Sequence, residues 1–224
     1  MTRTVIVAGG TGGLGSAVTA EFLTGDWRVI VPGRSESGLA ELGDDQALHT
    51  IVTDLMDPAG AAQVAELAAA DPAAPLAAVV NLVGGFGMGG RLHETPIDEF
   101  DQQLRLNLRP TYLITQAALP QLIAAGGGAI VCTSSRTALK PMRGASGYGT
   151  AKAAVLALVD NLATEYAADG IRANAILPGV IDTEVNRRTM PNADTSGWTP
   201  PAKIASVIRF LCENDGISGA HLPV

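Results

Sequence analysis

Short apolar runs alternate with longer stretches in helical register, and no other feature of the chain constrains its fold so tightly. The runs are TVIVAG (4–9), WRVIVP (27–32), LHTIVT (48–53), AAVVNLV (77–83), AIVCTS (129–134), IRANAIL (171–177) and AHLPV (220–224). Most are continuously apolar rather than alternating, the pattern of strands covered on both faces. Between them, Leu14, Val18, Phe22 and Leu23 form one helical stripe. Val64, Leu67 and Ala68 form a second, and Val155, Leu158, Val159 and Leu162 a third. This alternation predicts an α/β fold, an open parallel sheet with helices on both faces. No change of composition marks a boundary, so the 224 residues are expected to form one domain, 1–224. GGFGMGG (84–90) is too glycine-dense for regular structure and is expected to be a loop.

The first run leads into GGTGGLG (9–15) and then into the first helical stripe. Glycines there let the chain turn sharply, let backbone approach a phosphate, and let the helix pack closely on the sheet. The free N–H groups at the helix start then face an anion. Gly9, Thr11, Gly13, Leu14 and Gly15 are therefore candidates to hold a dinucleotide pyrophosphate. The second run ends in VIVPGRSES. Gly33 stands where a carboxylate would hold the ribose 2′-hydroxyl of NAD, and Arg34 and Ser35 follow. A guanidinium and a hydroxyl suit a 2′-phosphate, so NADP(H) is favoured over NAD(H).

Charge and rare residues exclude several other classes. The net charge is −7 with no long basic run, which argues against a nucleic-acid partner. Cys132 and Cys212 form neither a disulfide framework nor a metal-type pair, and His49, His93 and His221 are far apart. No metal site or Ser-His-Asp constellation is supported. There is no secretory signal and no apolar run of membrane-spanning length, so a cytoplasmic protein without a membrane partner is expected.

The stretch SGYGTAKAAV (146–155) places Tyr148 four residues before Lys152, in a chain with three tyrosines and three lysines. Chance would produce such a pair about 0.04 times. A helix sets the two on one face. A free phenol, with a pKa of about 10, is a poor acid-base group at neutral pH, and a nearby ammonium would lower that value. The tuned phenol could protonate a carbonyl oxygen as hydride reaches its carbon. Ser135 should end the fifth strand, where open α/β sheets bind ligands, and its hydroxyl could stabilise the substrate oxygen.

Taken together, these residues resemble the short-chain dehydrogenase/reductase family over nearly the whole chain. Ala8 stands where the family commonly has threonine. Asp54-Leu55 matches the adenine contact, and Asn81-Leu82-Val83-Gly84 is similar to the family's Asn-x-Ala-Gly. Asn107 in LRLNLRPTYL matches the catalytic asparagine, and Ser135 stands thirteen residues before Tyr148, the usual separation. Pro178, Gly179, Ile181 and Thr183, in LPGVIDT, match the segment that holds the nicotinamide end. The resemblance implies seven parallel strands in the order 3-2-1-4-5-6-7 and hydride transfer between a nicotinamide and a carbonyl or alcohol. It assigns catalysis to Asn107, Ser135, Tyr148 and Lys152, with Lys152 also gripping the nicotinamide ribose and Asn107 holding a relay water. It further implies a homodimer or homotetramer built through helices near 97–125 and 147–168.

A narrower resemblance links DTEVNRRTMPNADTSGWTPP (182–201) to quinonoid dihydropteridine reductases, which makes a conjugated imine an alternative acceptor. Those enzymes lack the serine of the tetrad and carry an acidic residue after the second strand, whereas this chain has Ser135 and Arg34. A protein that senses NADP(H) without turnover is the alternative from another class. On the substrate side, Met190 and Trp198 are candidates for an apolar lid, with Phe86 and Met88 on the opposite wall, or else all four pack the surface. Arg136, Lys140 and Arg143 either attract an anionic substrate or form a solvated basic loop.

Overall fold

The structure is a computed structural model that describes residues 2–224. Seven strands, β1 (Arg3–Ala8), β2 (Trp27–Gly33), β3 (Leu48–Val52), β4 (Leu76–Asn81), β5 (Gly128–Thr133), β6 (Ile171–Leu177) and β7 (His221–Pro223), form one sheet in the order β3-β2-β1-β4-β5-β6-β7. Every pairing is parallel. All seven predicted strands are present within two residues of their expected bounds.

Eight helices connect them: α1 (Gly15–Leu23), α2 (Glu36–Ala40), α3 (Pro58–Ala69), α4 (Ile97–Asn107), α5 (Arg109–Ala124), α6 (Ser146–Glu165), α7 (Glu184–Thr189) and α8 (Pro201–Glu213). Because strand side chains alternate, β1 sends Val5 and Val7 to one face and Ile6 and Ala8 to the other. The first set meets Val18 and Phe22 of α1 and Ile204 and Ile208 of α8. The second meets Val64 of α3, Ile114 and Leu122 of α5, and Val155 and Val159 of α6. Each fully buried aliphatic side chain stabilises the fold by about 1.5–3 kcal/mol relative to exposure.

The predicted long helix near 97–125 is two helices broken at Leu108. Pro110 explains the break: it has no N–H to offer the preceding turn, and its ring crowds the carbonyl four residues back. The break falls one residue after Asn107, whose side chain is thereby turned toward Gly85.

The order of the strands reverses between β1 and β4, and a crevice opens there outside the C-terminal ends of the strands. The opposite edge is closed by arginines. Arg28 donates to the Leu67 and Ala68 carbonyls at the end of α3, at 3.0 and 3.2 Å. Arg172 donates to Leu211 and Cys212 at the end of α8, at 2.8 and 3.1 Å, and Arg209 to Glu21 near the end of α1 at 3.2 Å. A cation at a helix C-terminus satisfies orphan carbonyls and complements the helix dipole.

Candidate active site

The loop between β1 and α1 shows why glycine is needed there. Gly9 has φ +85°, and a Cβ on Gly15 would collide with the Gly9 carbonyl oxygen. Among the described residues, the N–H groups of Gly13 and Leu14 find no backbone acceptor. Beside the loop lies a groove of about 310 Å³ whose walls include Gly9, Thr11, Arg34, Asp54, Leu55 and Gly84. A glycine cradle with free N–H groups fits a dinucleotide pyrophosphate.

Arg34 is exposed in this groove and, among the described residues, makes no ion pair. The Ser35 hydroxyl caps α2, accepting from Gly38 N at 3.3 Å. Thr183 brings the LPGVIDT segment against the glycine loop, its Cγ2 2.8 Å from where a Cβ on Gly13 would lie. Pro178 is buried, and Ile181 pairs with Thr199. Asn81 lies beneath the groove rather than lining it. Its Nδ2 donates to Thr115 at 3.1 Å, and its buried Oδ1 has no partner among the described residues.

The catalytic candidates converge on the same edge. Ser135 stands two residues past the end of β5, its hydroxyl accepts from Thr137 N at 3.2 Å, and its side chain opposes the effect of burial on the Tyr148 phenol. The neighbouring Ser134 is committed elsewhere, donating to the Lys152 carbonyl at 2.8 Å. The Lys152 ammonium donates to the Thr133 carbonyl at 2.9 Å and stands 5.9 Å from the Tyr148 ring centroid. Gly84 lets the site close: a Cβ there would sit 2.6 Å from Asn107 Oδ1 and 3.0 Å from Lys152 Nζ. Asn107 is fully buried, accepting from Gly85 N at 3.0 Å and donating to the Gly85 carbonyl at 3.1 Å.

One expectation from the Tyr-Lys spacing is corrected. The phenol of Tyr148 lies above its ordinary pKa, not below, because burial outweighs the opposing influence of the Ser135 side chain. Lys152 shares a helix face with the tyrosine but is turned to Thr133. Burial pulls its own pKa down to about 8, against a smaller opposing effect of the Cys132 side chain.

A second cavity, about 340 Å³, lies beside Tyr148, between the glycine loop after β4, α4 and the start of α6. Met88 lines it, and Phe86 packs edge-on against Tyr148 with centroids 5.1 Å apart. The other proposed substrate residues are not in its wall. Met190 is exposed and Trp198 half-buried in the segment after β6. Arg143 is exposed, and Arg136 donates to the Val224 carbonyl at 2.8 Å. Sequence reading missed Glu99 and Gln103, which do line the cavity. Gln103 was detectable in principle, since it precedes Asn107 by one helical turn.

Comparison with known proteins accords with this geometry. The family profile described as short chain dehydrogenase matches residues 3–194. The chain belongs to the short-chain dehydrogenase family. Among its relatives is a 2-(R)-hydroxypropyl-CoM dehydrogenase of Xanthobacter autotrophicus, 31% identical, with 99% of this chain and 96% of the relative covered. A probable galactose dehydrogenase of Rhizobium meliloti is 36% identical, with 83% and 74% covered. Among solved structures, ElxO with NADP bound superposes with a TM-score of 0.91 at 27% identity, covering 100% of this chain and 97% of that one. A short-chain type dehydrogenase/reductase from Mycobacterium ulcerans gives a TM-score of 0.91 at 25% identity, covering 99% and 88%. As a short-chain dehydrogenase, the protein is an oxidoreductase of a nicotinamide-binding family. Among its described residues, no helix is long and apolar enough to cross a membrane, and no group of three or more His, Cys, Asp or Glu side chains is placed to hold a metal.

Proposed function

We propose that the protein is an NADP(H)-dependent dehydrogenase/reductase of a small carbonyl or alcohol, with Tyr148 as its general acid and base. The observation that carries this reading is the convergence of Ser135, Tyr148, Lys152 and Asn107 at the end of the groove where Arg34 is the cation. Gly9, Gly13, Leu14 and Gly15 would hold the pyrophosphate, Arg34 and Ser35 the 2′-phosphate, Asp54 and Leu55 the adenine, and the 178–183 segment the nicotinamide end. A bound nicotinamide supplies or accepts the hydride. Ser135 donates to the substrate oxygen, and Tyr148 delivers the proton in reduction or removes it in oxidation. The apolar groove lined by Leu104, Leu108, Tyr112, Leu113 and Leu158 supports assembly with a second copy through α4, α5 and α6.

The test follows NADPH and NADH absorbance with an α-diketone, and in parallel with quinonoid dihydropterin. Faster NADPH loss with the diketone is expected. Arg34→Glu should then lower kcat/KM for NADPH by about 10–100-fold, the worth of a lost charge-assisted hydrogen bond. Turnover of the pterin alone would transfer the assignment to the conjugated imine, and binding without any turnover would make the protein a sensor. Equal use of both cofactors by wild type and variant would remove Arg34 from the reading.

A further inference from the structure

The cavity beside Tyr148 is built largely from glycine and hydrogen-bonding side chains. Gly87, Gly89, Gly144 and Gly147 lie around it, and the Gly89 N–H donates to the Gly144 carbonyl at 2.8 Å, tying its two loops together. Glycine leaves the space open, and the polar groups of α4 project into it. Gln103 faces two ways. Its Oε1 accepts from Asn107 Nδ2 at 3.4 Å, which orients the carboxamide. Its Nε2 lies toward Gly87 and has no acceptor among the described residues. Glu99 lines the same cavity and is in no ion pair among the described residues. Its Oε2 stands 3.3 Å from where a Cβ on Gly89 would lie. The cavity thus offers the Gln103 amide as donor and the Glu99 carboxylate as acceptor, with Thr95, Gln102 and Ser146 also in its lining and no cation there.

We infer that this cavity selects a carbonyl or alcohol substrate bearing further hydroxyl groups, a small polyol or hydroxyketone, with Gln103 and Glu99 as the residues that read them. The inference rests on the dehydrogenase reading above. A hydroxyl both donates and accepts, so it can satisfy Glu99 and Gln103 in turn. Glu99 is exposed and Gln103 half-buried, so both are hydrated when the cavity is empty, and an apolar ketone of the same size would displace that water without replacing its hydrogen bonds. An anionic substituent would meet the Glu99 carboxylate, while the nearby Arg136 is engaged by Val224. The volume, about 340 Å³, is at the small end for ligand sites and suits a few carbons rather than a long chain. In the oxidative direction, the C–H and O–H bonds of one carbinol break. With NADP⁺ bound, the hydride would pass to the nicotinamide and the proton to the Tyr148 phenolate, leaving a carbonyl. The remaining hydroxyls are unchanged and serve only recognition.

The test compares L-erythrulose with 2-butanone as NADPH-dependent substrates. Wild type is expected to favour L-erythrulose by about 100-fold in kcat/KM. Gln103→Glu keeps the acceptor for Asn107 and removes the donor to the cavity, and Glu99→Gln removes the carboxylate. Each should reduce the preference about tenfold, mainly by raising KM for L-erythrulose. Calorimetric titration of L-erythrulose into the enzyme–NADP⁺ complex reads the same recognition without turnover. Equal or better use of 2-butanone, an unaltered preference in both variants with native melting temperatures, or no heat of binding would overturn the inference. NADPH fluorescence and diketone turnover in wild type and Tyr148→Phe separate the two readings. If NADPH binds and diketone reduction requires Tyr148 while hydroxyketones are not preferred, only the substrate inference falls. If NADPH fails to bind or Tyr148→Phe keeps full activity, the dehydrogenase reading falls with it.

Discussion

The two edges of the sheet are made differently. At the N-terminal edge, Arg28, Arg172 and Arg209 close the ends of three helices, and each guanidinium finds carbonyl partners. At the C-terminal edge the chain leaves groups unmet: free N–H groups at Gly13 and Leu14, the orphan Oδ1 of Asn81, and Lys152 held almost out of water. Satisfied polar groups stabilise a fold, and unsatisfied ones cost stability unless a ligand completes them. The comparison teaches that stability and chemistry are assigned to opposite ends of the same strands.

The sharpest way to break that comparison is Tyr148→Phe. It removes only a hydroxyl, so turnover should fall by about 10²–10⁴-fold while the melting temperature and NADPH affinity stay near wild type. A large loss of stability would show that the catalytic edge also holds the fold. At the other edge, Arg28→Leu should do the reverse. The carbonyls of Leu67 and Ala68 lose their donor, and the cost is about 2–4 kcal/mol in urea unfolding. Turnover per folded molecule should change less than about twofold. A fall in kcat comparable to that of Tyr148→Phe would mean the edges are coupled through α3 and β2.

The sequence made one edge more legible than the other. Strand positions and the glycine loop followed from local pattern, because continuous apolar runs and glycine turns act over a few residues, whereas the sheet order came only from the family resemblance. Ser135 could be separated from Ser134 only by counting to Tyr148, and the structure gives the physical counterpart in the Ser134 bond to the Lys152 carbonyl. The arginine closures were not legible, since Arg28 meets carbonyls about 40 residues on and Arg209 a carbonyl 188 residues back. Pro110 was in plain view, yet the helix break it causes at Leu108 was not drawn from it. The direction of the Tyr148 shift was misread for a deeper reason. Spacing places two residues on one helix face, but the rotamer of Lys152 is set by the Thr133 carbonyl of β5, and the phenol is buried by tertiary packing that includes Phe86.

Lys152 gives the finest test, because its cost should vary with pH. The ordinary lysine pKa is 10.5, and burial lowers it to about 8. Between these values the unfolded chain binds more protons at this lysine than the folded one, so the contribution of Lys152 to the stability of the cofactor-free protein rises with pH across that window. Below pH 8 the full penalty of the buried charge applies, on the order of 3 kcal/mol. Lys152→Met removes it, so the variant should be more stable than wild type near pH 7, less the hydrogen bond lost at Thr133. That advantage should shrink steadily toward pH 10. The Cys132 thiol, pushed up to about 12 by burial, destabilises both proteins above pH 9 and largely cancels in the difference. Urea unfolding of both proteins from pH 7 to 10 reads the slope directly. A flat difference would mean that the Thr133 carbonyl and its surroundings compensate the charge in full. The catalytic edge would then be as well satisfied as the arginine edge.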